Sequence, residues 1–235
     1  MSVYAGPNTT QSGLVLHIDP SNPRCYPGSG STLFDLSGGG NNGTLTNGAS
    51  VITNGAGRAV NFDGVDDYVN CGDPAFFSGA SQISISIWVY PRQARQFAGI
   101  ATKDPHTNGN NRFGIFTGFS GTDISVNCGT GNTYGYGGTM TLNSWNNLML
   151  VFDGTQTGNA NRIKGYINGR QVSLTFSGPI PSITPTNTAN FGMMTPMDGG
   201  TFFNAQGDDL RVYSRALSAS EILNNFNATR GRYGI

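Results

Sequence analysis

The sequence has few charged residues and no excess of either sign. Asp, Glu, Lys and Arg make up 11% of the 235 residues, and 13 basic residues balance 13 acidic ones. A globular chain usually contains about a quarter of charged residues. Because the arginines are dispersed, no basic stripe exists that could follow a phosphate backbone, and we expect no nucleic-acid partner. The Gly, Asn, Ser and Thr that remain suit a protein that works outside cells or within a large assembly.

The sequence also lacks the hydrophobic segments that membrane insertion or secretion requires. Residues 1–10 contain neither a charged n-region nor an apolar h-region, and no later segment approaches the length of a membrane span. We therefore expect no membrane insertion. If the protein acts outside a cell, we expect it to leave by lysis or within a particle.

Cysteine and histidine are scarce, which limits zinc sites, disulfides and nucleophilic catalysis. Cys25, Cys71 and Cys128 are odd in number and far apart, and His17 and His106 are the only histidines. Because no CxxC pair or zinc-ligand spacing is present, we predict that the three cysteines are buried free thiols. Both histidines are isolated from any catalytic motif, so a Ser or Cys triad has no support.

The sequence is rich in short segments with the two-residue periodicity of β-strands. In Ile83–Pro91, aliphatic side chains alternate with serines and two aromatics, Trp88 and Tyr90. Trp145–Gly154 is apolar on both faces at its centre, which predicts a central strand buried on both sides. The pair Asn168-Gly169 favours a two-residue type I′ turn between two strands.

One helix is predicted, near the C-terminus. Ser218 and Glu221 have the spacing of a capping box, so the helix should begin at Ala219 and end near Asn227. Many strands are followed by this one helix, without any alternation of strands and helices. The predicted fold class is therefore all-β: an antiparallel two-sheet β-sandwich or jelly roll with one short C-terminal helix.

The chain is predicted to form one domain with a short extension at each end. Residues 1–12 are polar and turn-rich, and they should be an arm that is disordered alone or docks on a partner. Residues 13–228 should form the domain, and residues 229–235 a C-terminal tail.

Two expectations concern the first quarter of the domain. Residues 13–19 should form a strand with Leu14, Leu16 and Ile18 on one face. Residues 21–54 are dominated by Gly, Ser, Asn and Thr, and they should form long loops with two apolar anchors and little regular structure.

The stretch Ala59–Val69 has apolar residues on either side of an Asp-Gly pair. This pattern predicts a hairpin of two short strands, with Gly64 at the position of positive φ in the turn. Asp63, Asp66 and Asp67 crowd this turn, and carboxylates so close need backbone N–H donors, an arginine or a cation to offset their repulsion. The turn is therefore either strongly hydrogen-bonded or a metal site.

Candidate ligand-binding residues lie on one strand face and around two loops. Trp88 and Tyr90 could form a platform for a sugar ring, although an aromatic at such a position is more often covered by a crossing loop. The loop 129–138 is rich in Tyr, Gly and Asn, like an antibody recognition loop, and the loop 104–111 precedes the next candidate strand. The candidate residues are Trp88, His106, Asn110, Arg112, Asn132, Tyr134 and Tyr136.

Five stretches together resemble the laminin-G-like, concanavalin A-like jelly roll. They are residues 61–69, 83–91, 145–154, 166–170 and 208–222, and their order along the chain also matches. The resemblance extends over residues 13–227 and implies a two-sheet sandwich. The segments 13–20, 35–38 and 41–45 are similar to the version of this domain in virion structural proteins of tailed bacteriophages, where it occurs in tail fibres and decorates particles.

Members of this family often bind calcium at the rim of the sandwich, so the resemblance implies a calcium site. The matching residues are Asp63, Asp66, Asp67, Asp208 and Asp209, with Asp19 also near a strand end. Calcium takes about six to eight oxygen ligands, which carboxylates, backbone carbonyls and water could supply together. The alternative is that the carboxylates cap turns or pair with arginines such as Arg58 and Arg211.

Three classes of function follow from the resemblance. Related glucanases use two glutamates on one strand, but Glu221 is the only glutamate here, so an enzyme of that type is nearly excluded, whereas an aspartate pair is not. A lectin would bind glycans through the loops named above. We favour a non-enzymatic virion surface protein, a capsid decoration or tail-associated module, that contacts other virion proteins or cell-surface glycans. Such a protein would commonly be a homo-oligomer that matches its lattice.

Overall fold

Two antiparallel sheets make up most of the protein in the computed structural model, which describes residues 7–105, 111–129, 133–196 and 200–235. The strands in this part of the chain are β1 (Leu14–Ile18), β2 (Thr32–Leu33), β3 (Gly43–Thr46), β4 (Ser50–Asn54), β5 (Gly57–Phe62), β6 (Tyr68–Asn70), β7 (Gln82–Pro91), β8 (Gly99–Lys103), β9 (Arg112–Thr117), β10 (Ile124–Gly129), β11 (Tyr134–Gly137), β12 (Asn146–Asp153), β13 (Ile163–Ile167), β14 (Arg170–Val172), β15 (Thr175–Ser177), β16 (Phe191–Met193) and β17 (Ala205–Tyr213). The helices are α1 (Asn159–Arg162), α2 (Ala219–Thr229) and the 3-10 helices Ala75–Phe77 and Arg230–Tyr233.

The two sheets have separate strand orders. Sheet A runs β14-β13-β12-β7-β17-β5-β4, and β1 pairs with the second half of β17, beyond the part that pairs with β5. Sheet B runs β15-β11-β10-β9-β8-β16-β6-β3-β2. This arrangement, with α2 at the C-terminal end, confirms the predicted antiparallel sandwich with one short C-terminal helix.

The core lies between the sheets and takes one side of each long strand. Ile85 and Ile87 of β7 belong to the same buried cluster as Ile115 of β9. In β12, Leu148 and Leu150 join this core, whereas Met149 and Val151 join a second cluster formed with α2. The strand predicted to be buried on both sides is therefore confirmed, because the helix covers its outer face.

The hairpin predicted for residues 59–69 is wrong. Strand β5 pairs with β4 and β17 in sheet A, and β6 pairs with β3 and β16 in sheet B. Gly64 has a φ of 82°, as expected at the reversal. Local alternation identifies the two strands but says nothing about their partners, and this reversal carries the chain from one sheet to the other.

Residues 21–54 contain more regular structure than the sequence predicts. Strands β2 and β3 join sheet B, and β4 forms an edge of sheet A.

In β1, the register against β17 shifts between Leu14 and Leu16. Leu14 therefore packs on the α2 side of sheet A, whereas Leu16 and Ile18 lie in the core. The prediction that all three share one face is wrong because a bulge reverses the alternation.

Both ends of the described chain pack against α2 or continue it. The capping box of Ser218 and Glu221 is present, and the helix ends at Thr229, two residues later than expected. The 3-10 helix Arg230–Tyr233 follows directly, within the segment predicted as a tail, and buries Tyr233. At the other end, the backbone N–H of Thr10 donates to Asn225 of α2 over 2.7 Å.

Two smaller predictions are also confirmed. Asn168 and Gly169 have φ angles of 52° and 73°, the positive pair that a type I′ turn requires between β13 and β14. Cys25, Cys71 and Cys128 are free and buried, and burial raises the pKa of Cys25 and Cys71 to about 12. Within the described ranges, none of the helices is long and apolar enough to cross a membrane.

Candidate functional site

Trp88 lies beneath the C-terminus and is not a ligand platform. Its ring stacks on Tyr233 at 3.9 Å between centroids and on Phe226 at 5.8 Å, and only 1% of the residue is exposed. The indole N–H donates to the Thr229 hydroxyl over 3.2 Å. The expectation of a sugar-stacking Trp88 is wrong because α2 and the following 3-10 helix cover this part of sheet A.

A cleft opens beside this buried tryptophan, and we name it the aromatic cleft. It has a volume of about 710 Å³. It is lined by Asn54, Gly55, Ala56, Tyr90, Arg92, Asn143, Trp145, Gln206, Gly231, Arg232, Tyr233 and Gly234. The half-buried Tyr90 and Trp145 meet edge to face at 5.7 Å, and Trp145 meets Tyr233 at 5.0 Å. The cleft therefore offers aromatic surface that solvent can reach.

Amide side chains supply most of the polar lining of the aromatic cleft. Asn54, which ends β4, donates from its amide to the Gln206 amide oxygen over 2.5 Å. Asn143 adds a third, exposed amide. Because a side-chain amide carries both donors and an acceptor, this lining can hydrogen-bond hydroxyl groups in either direction.

Arg92, which directly follows β7, is fixed in the lining by neutral oxygens. Its Nη1 donates to Asn204 Oδ1 over 2.9 Å and to the Phe62 carbonyl over 3.2 Å, and its Nη2 donates to Asn61 Oδ1. The guanidinium plane is therefore held in one orientation without a carboxylate partner among the described residues.

The other arginine of the cleft, Arg232, is paired with two carboxylates. Arg232 donates to Asp19 Oδ2 over 3.1 Å and contacts Asp208, which also accepts from the Tyr233 hydroxyl over 2.9 Å. Burial raises the pKa of Asp208, whereas Arg232 beside it acts in the opposite direction. This network attaches the 3-10 helix to sheet A and so positions Tyr233 in the cleft wall.

The five aspartates proposed as metal ligands do not form one site. Asp208 is paired with Arg232, and Asp209 contacts His17 over 2.9 Å and Arg211 over 2.8 Å. Although burial opposes its ionisation, Arg211 and His17 hold the pKa of Asp209 well below its usual range. Each of these two carboxylates therefore has an arginine partner. Asp209 also offers one oxygen within 4.8 Å of ligand atoms of His17 and Asp19. The assignment of Asp208 and Asp209 to a calcium site stays a prediction.

Asp63, Asp66 and Asp67 do form a group, with one oxygen atom from each within 4.8 Å of the others. Asp67 is 3% exposed, and its Oδ2 accepts from the Asp63 backbone N–H over 2.9 Å. Its buried Oδ1 has no hydrogen-bond partner among the described residues. Burial, and then the nearby carboxylates of Asp63 and Asp66, raise the pKa of Asp67. A buried oxygen without a donor beside two further carboxylates is the arrangement that a hard cation fits.

Tyr134 and Tyr136 lie on a strand rather than in a loop. They belong to β11, where they oppose Asn127 and Ser125 of β10. The Phe119 ring lies 4.8 Å from Tyr136 and 6.0 Å from Tyr134, and Phe97 meets Phe119 at 5.1 Å. Phe97 and Phe119 are 38% and 43% exposed. These four rings form a second aromatic surface, on sheet B, which we name the sheet B aromatic cluster.

Of the remaining four candidate residues, one has a buried side chain and three lie outside the described residues. Arg112 forms an ion pair with Asp104 over 3.2 Å, and both side chains are buried. Burial lowers the pKa of Arg112. The structure thus gives Arg112 a buried ion-pair partner, and its role in ligand binding stays a prediction. His106, Asn110 and Asn132 lie outside the described residues.

Sequence reasoning missed most of the aromatic cleft. The sequence pattern indicates that Tyr90 points outward from its strand, but it marks Trp145 only as the start of a strand. Arg92, Asn54 and Gln206 carry no motif, and they meet only because β4, β7 and β17 come together in sheet A. The one available signal was Trp145 itself, since an aromatic that directly precedes a strand often lies at the rim of a sheet.

Comparison with solved structures finds the same fold in carbohydrate-related proteins. Domain 4 of the extracellular arabinanase AbnA from Geobacillus stearothermophilus, solved with arabinotriose, matches with 20% identity and a TM-score of 0.65, covering 92% of this chain and 99% of that one. Trypanosoma rangeli sialidase, solved with sialic acid, matches with 14% identity and a TM-score of 0.67, covering 94% of this chain. The chain spans only 33% of that sialidase.

A third matching structure is the binding domain of another protein. The binding domain of Paraclostridial Mosquitocidal Protein 1 matches with 15% identity and a TM-score of 0.62, covering 92% of this chain and 52% of that one. At these identities the likeness shows the fold alone. No curated protein sequence matches this chain.

A family model provides the evidence at the level of sequence. The model for laminin-G-like domains of the concanavalin A-like lectin/glucanases superfamily matches residues 63–223. That segment runs from the acidic reversal to helix α2 and covers more than half of the chain. The chain belongs to the laminin-G-like family of the concanavalin A-like lectin/glucanases superfamily.

Proposed function

We propose that this protein is a non-catalytic module that binds a saccharide in the aromatic cleft. The observation that carries the proposal is the meeting of Tyr90 and Trp145, both half-buried, with the amides of Asn54, Asn143 and Gln206 in one cleft. A sugar ring has a face of C–H groups that packs on an aromatic ring, and a rim of hydroxyls that amides can hydrogen-bond. The solved complex of a similarly folded arabinanase domain with arabinotriose supports a saccharide as the ligand class.

The non-catalytic part of the proposal is supported by the carboxylates. Glycosidases generally place two carboxyl groups about 5–10 Å apart around the scissile bond. No Asp or Glu is among the residues that line the aromatic cleft in the described ranges. Glu221, the only glutamate, accepts from Arg215 over 2.6 Å in the helix cap, and this contact lowers its pKa to about 2. A carboxyl group with that pKa is ionised at neutral pH and makes a poor general acid.

The direct test is to remove the half-buried indole of Trp145 from the cleft. We expect Trp145→Ala to weaken binding of the best saccharide from a glycan array about tenfold, because the lost stacking and burial are worth about 1–1.5 kcal/mol. Isothermal titration calorimetry measures the change. Phe34→Ala is the matched control, since Phe34 is 43% exposed and lies outside the cleft lining. Unchanged affinity in the Trp145 variant, or no binding of any saccharide by the natural chain, would contradict the proposal.

The sheet B aromatic cluster is a second candidate saccharide surface. Its support is the exposure of Phe97 and Phe119 beside Tyr134 and Tyr136. The same titration with Tyr136→Ala separates the two surfaces. A loss of affinity in that variant, with none in Trp145→Ala, would move the proposed site to sheet B.

We also propose that Asp63, Asp66 and Asp67 hold a calcium ion at the reversal between the sheets. The clustered oxygens and the buried Oδ1 of Asp67 support this proposal. Calcium at about a hundred times its Kd would add about 2.7 kcal/mol to the free energy of unfolding and raise Tm by about 5–10 °C. Differential scanning calorimetry with calcium and with chelator measures this shift.

The control for the calcium experiment uses carboxylates at two different turns. We expect Asp67→Asn to abolish the calcium-dependent rise in Tm, whereas Asp153→Asn should retain it. Asp153 ends β12, next to another turn, and accepts hydrogen bonds from Gln82 and Thr155. If calcium leaves the Tm of the natural chain unchanged, the turn is hydrogen-bonded only, and the metal assignment fails.

For the biological setting, we propose the surface of a virion, as a capsid decoration or a tail-associated module that meets other virion proteins or cell-surface glycans. The support is the similarity of residues 13–20, 35–38 and 41–45 to the phage version of the domain, together with the low charge. Mass spectrometry of purified particles tests this setting. Absence of the protein from such particles would exclude it without affecting the saccharide proposal.

A further inference from the structure

We propose that the aromatic cleft selects an acidic saccharide, one that carries a carboxylate or sulfate group, and that Arg92 recognises the anion. This inference rests on the proposed function and names the chemical class of its ligand.

Within the part of the chain that the structure describes, Arg92 is the charged group of the cleft that has no carboxylate partner. Its hydrogen bonds go to the amide oxygens of Asn61 and Asn204 and to the carbonyls of Phe62 and Ala205. None of the ion pairs among the described residues involves Arg92. Its full positive charge therefore stays available to a ligand.

The rest of the lining does not neutralise this charge. The twelve lining residues include no Asp or Glu, and the charge of Arg232 is already offset by Asp19 and Asp208. A cleft with one uncompensated cation and low-dielectric aromatic walls attracts anions more strongly than a solvated surface arginine does. A neutral sugar would leave that attraction unused.

The geometry of Arg92 also suits a planar or tetrahedral anion. Its bonds come from Nη1 and Nη2, and Nε has no acceptor among the described residues. A guanidinium carries five N–H donors, so donors remain for a ligand after these bonds are made. Because the asparagines fix its plane beforehand, little side-chain entropy is lost when an oxyanion binds.

The experiment compares three oligosaccharides of equal length by calorimetry: a neutral one, one that bears a uronate and one that bears a sulfate. We expect the natural chain to bind at least one acidic ligand about tenfold more tightly than the neutral one. This preference should shrink between about 50 mM and 500 mM salt. The uronate and sulfate titrations distinguish the two sources of the anion.

Variants of Arg92 assign the effect to this residue. In Arg92→Gln the preference should disappear, so that the acidic and the neutral ligand bind that variant with affinities within about twofold of each other, because the charge-assisted contact to the anion is lost. Arg92→Lys should retain part of the preference. If Arg92→Gln lowers the Tm, the lysine variant is used in its place to test the role of the positive charge. Arg95→Gln is the control, since Arg95 is exposed and outside the lining.

The outcomes separate the inference from the function on which it rests. Equal affinity of the natural chain for neutral and acidic ligands overturns the inference and leaves saccharide binding intact. A preference that survives in both Arg92 variants overturns the role of Arg92. No binding of any of the three ligands, or of any glycan on the array, removes the proposed function as well.

Discussion

The two tryptophans have different surroundings, although Trp88 belongs to β7 and Trp145 directly precedes β12 in the same sheet. Trp88 is covered by Phe226 and Tyr233 and donates its N–H to Thr229, so it serves the packing of the C-terminus. Trp145 meets Tyr90 and Tyr233 edge to face and stays half-buried. The same residue type is therefore structural at one position and available to a ligand at the other.

We expect Trp88→Ala to lower the free energy of unfolding by about 3–5 kcal/mol, because it leaves a cavity beneath the C-terminal helix. Trp145→Ala should cost about 1 kcal/mol or less, since its ring is only partly buried. Urea denaturation of both variants, with equal m-values, measures the difference. A Trp88 variant as stable as the Trp145 variant would mean that the C-terminus does not pack on sheet A in solution.

At the scale of the element, helix α2 depends on its first turn. The Ser218 hydroxyl accepts from the Glu221 backbone N–H over 3.3 Å, and Glu221 accepts from the Ser218 N–H over 2.9 Å. Arg215 adds two contacts to the same carboxylate, at 3.0 Å and 2.6 Å. The cap thus links the end of β17 to the helix that covers sheet A.

The lowered pKa of Glu221 predicts an acid-sensitive contribution to stability. Its contact with Arg215 lowers the pKa from 4.5 to about 2, so the folded state favours the ionised form. The stabilisation is present above pH 4.5 and is lost as pH falls towards 2. Because the side chain is 31% exposed, we expect a total effect of about 1 kcal/mol or less.

The measurement is the pH dependence of unfolding for the natural chain and for Glu221→Gln. The difference between the two should be constant from neutral pH to pH 4.5 and should narrow below it. Ser218→Ala removes the capping hydroxyl but not the carboxylate. It should therefore lower the free energy of unfolding by about 1 kcal/mol and change the pH dependence of that free energy below pH 4.5 only a little. A difference that stays constant down to pH 2 would show that Glu221 is not held ionised by Arg215.

At the scale of the whole molecule, the two ends of the described chain meet on the outer face of sheet A. Thr10 bonds to Asn225 of α2, and Arg232 pairs with Asp19 just after β1. The last residues also supply Arg232 and Tyr233 to the aromatic cleft. Closure of the fold and formation of the candidate site therefore both depend on Arg232 and Tyr233.

We expect a chain that ends at Thr229 to be both less stable and weaker in saccharide binding. Loss of Tyr233 uncovers Trp88 and removes one wall of the cleft, so tryptophan fluorescence of the folded protein should shift to longer wavelength. Removal of Ile235 alone is the control, because Ile235 is 43% exposed and outside the lining. Spectra and binding unchanged by the longer deletion would contradict the described packing.

Much of the fold follows from local patterns in the sequence. The alternation in β7, the Asn168-Gly169 turn and the capping box before α2 each depend on neighbours within a few residues, and each is confirmed. Pairing between distant strands has no such local signal. The residues around Gly64 show this limit, because the pattern that predicts two strands cannot say that they belong to different sheets.

Less of the candidate sites could be predicted. The sequence identified Asp63, Asp66 and Asp67 because they are neighbours in the chain, but it also grouped them with Asp208 and Asp209, which arginines neutralise. It identified an outward aromatic face on β7 but not that α2 and Tyr233 would cover Trp88. Burial by a distant segment depends on packing energies that no local pattern contains.

The sequence by itself determined the all-β class, the single C-terminal helix and the acidic reversal, because periodicity, capping and clustering act between residues that are close along the chain. The tertiary structure alone decided which aromatic side chains are exposed and which arginine of the cleft has no carboxylate partner among the described residues. Trp145, Arg92 and Gln206 come from separate strands or strand ends, and they meet only when sheet A is assembled. Their proximity results from long-range strand pairing, and hence so does the aromatic cleft.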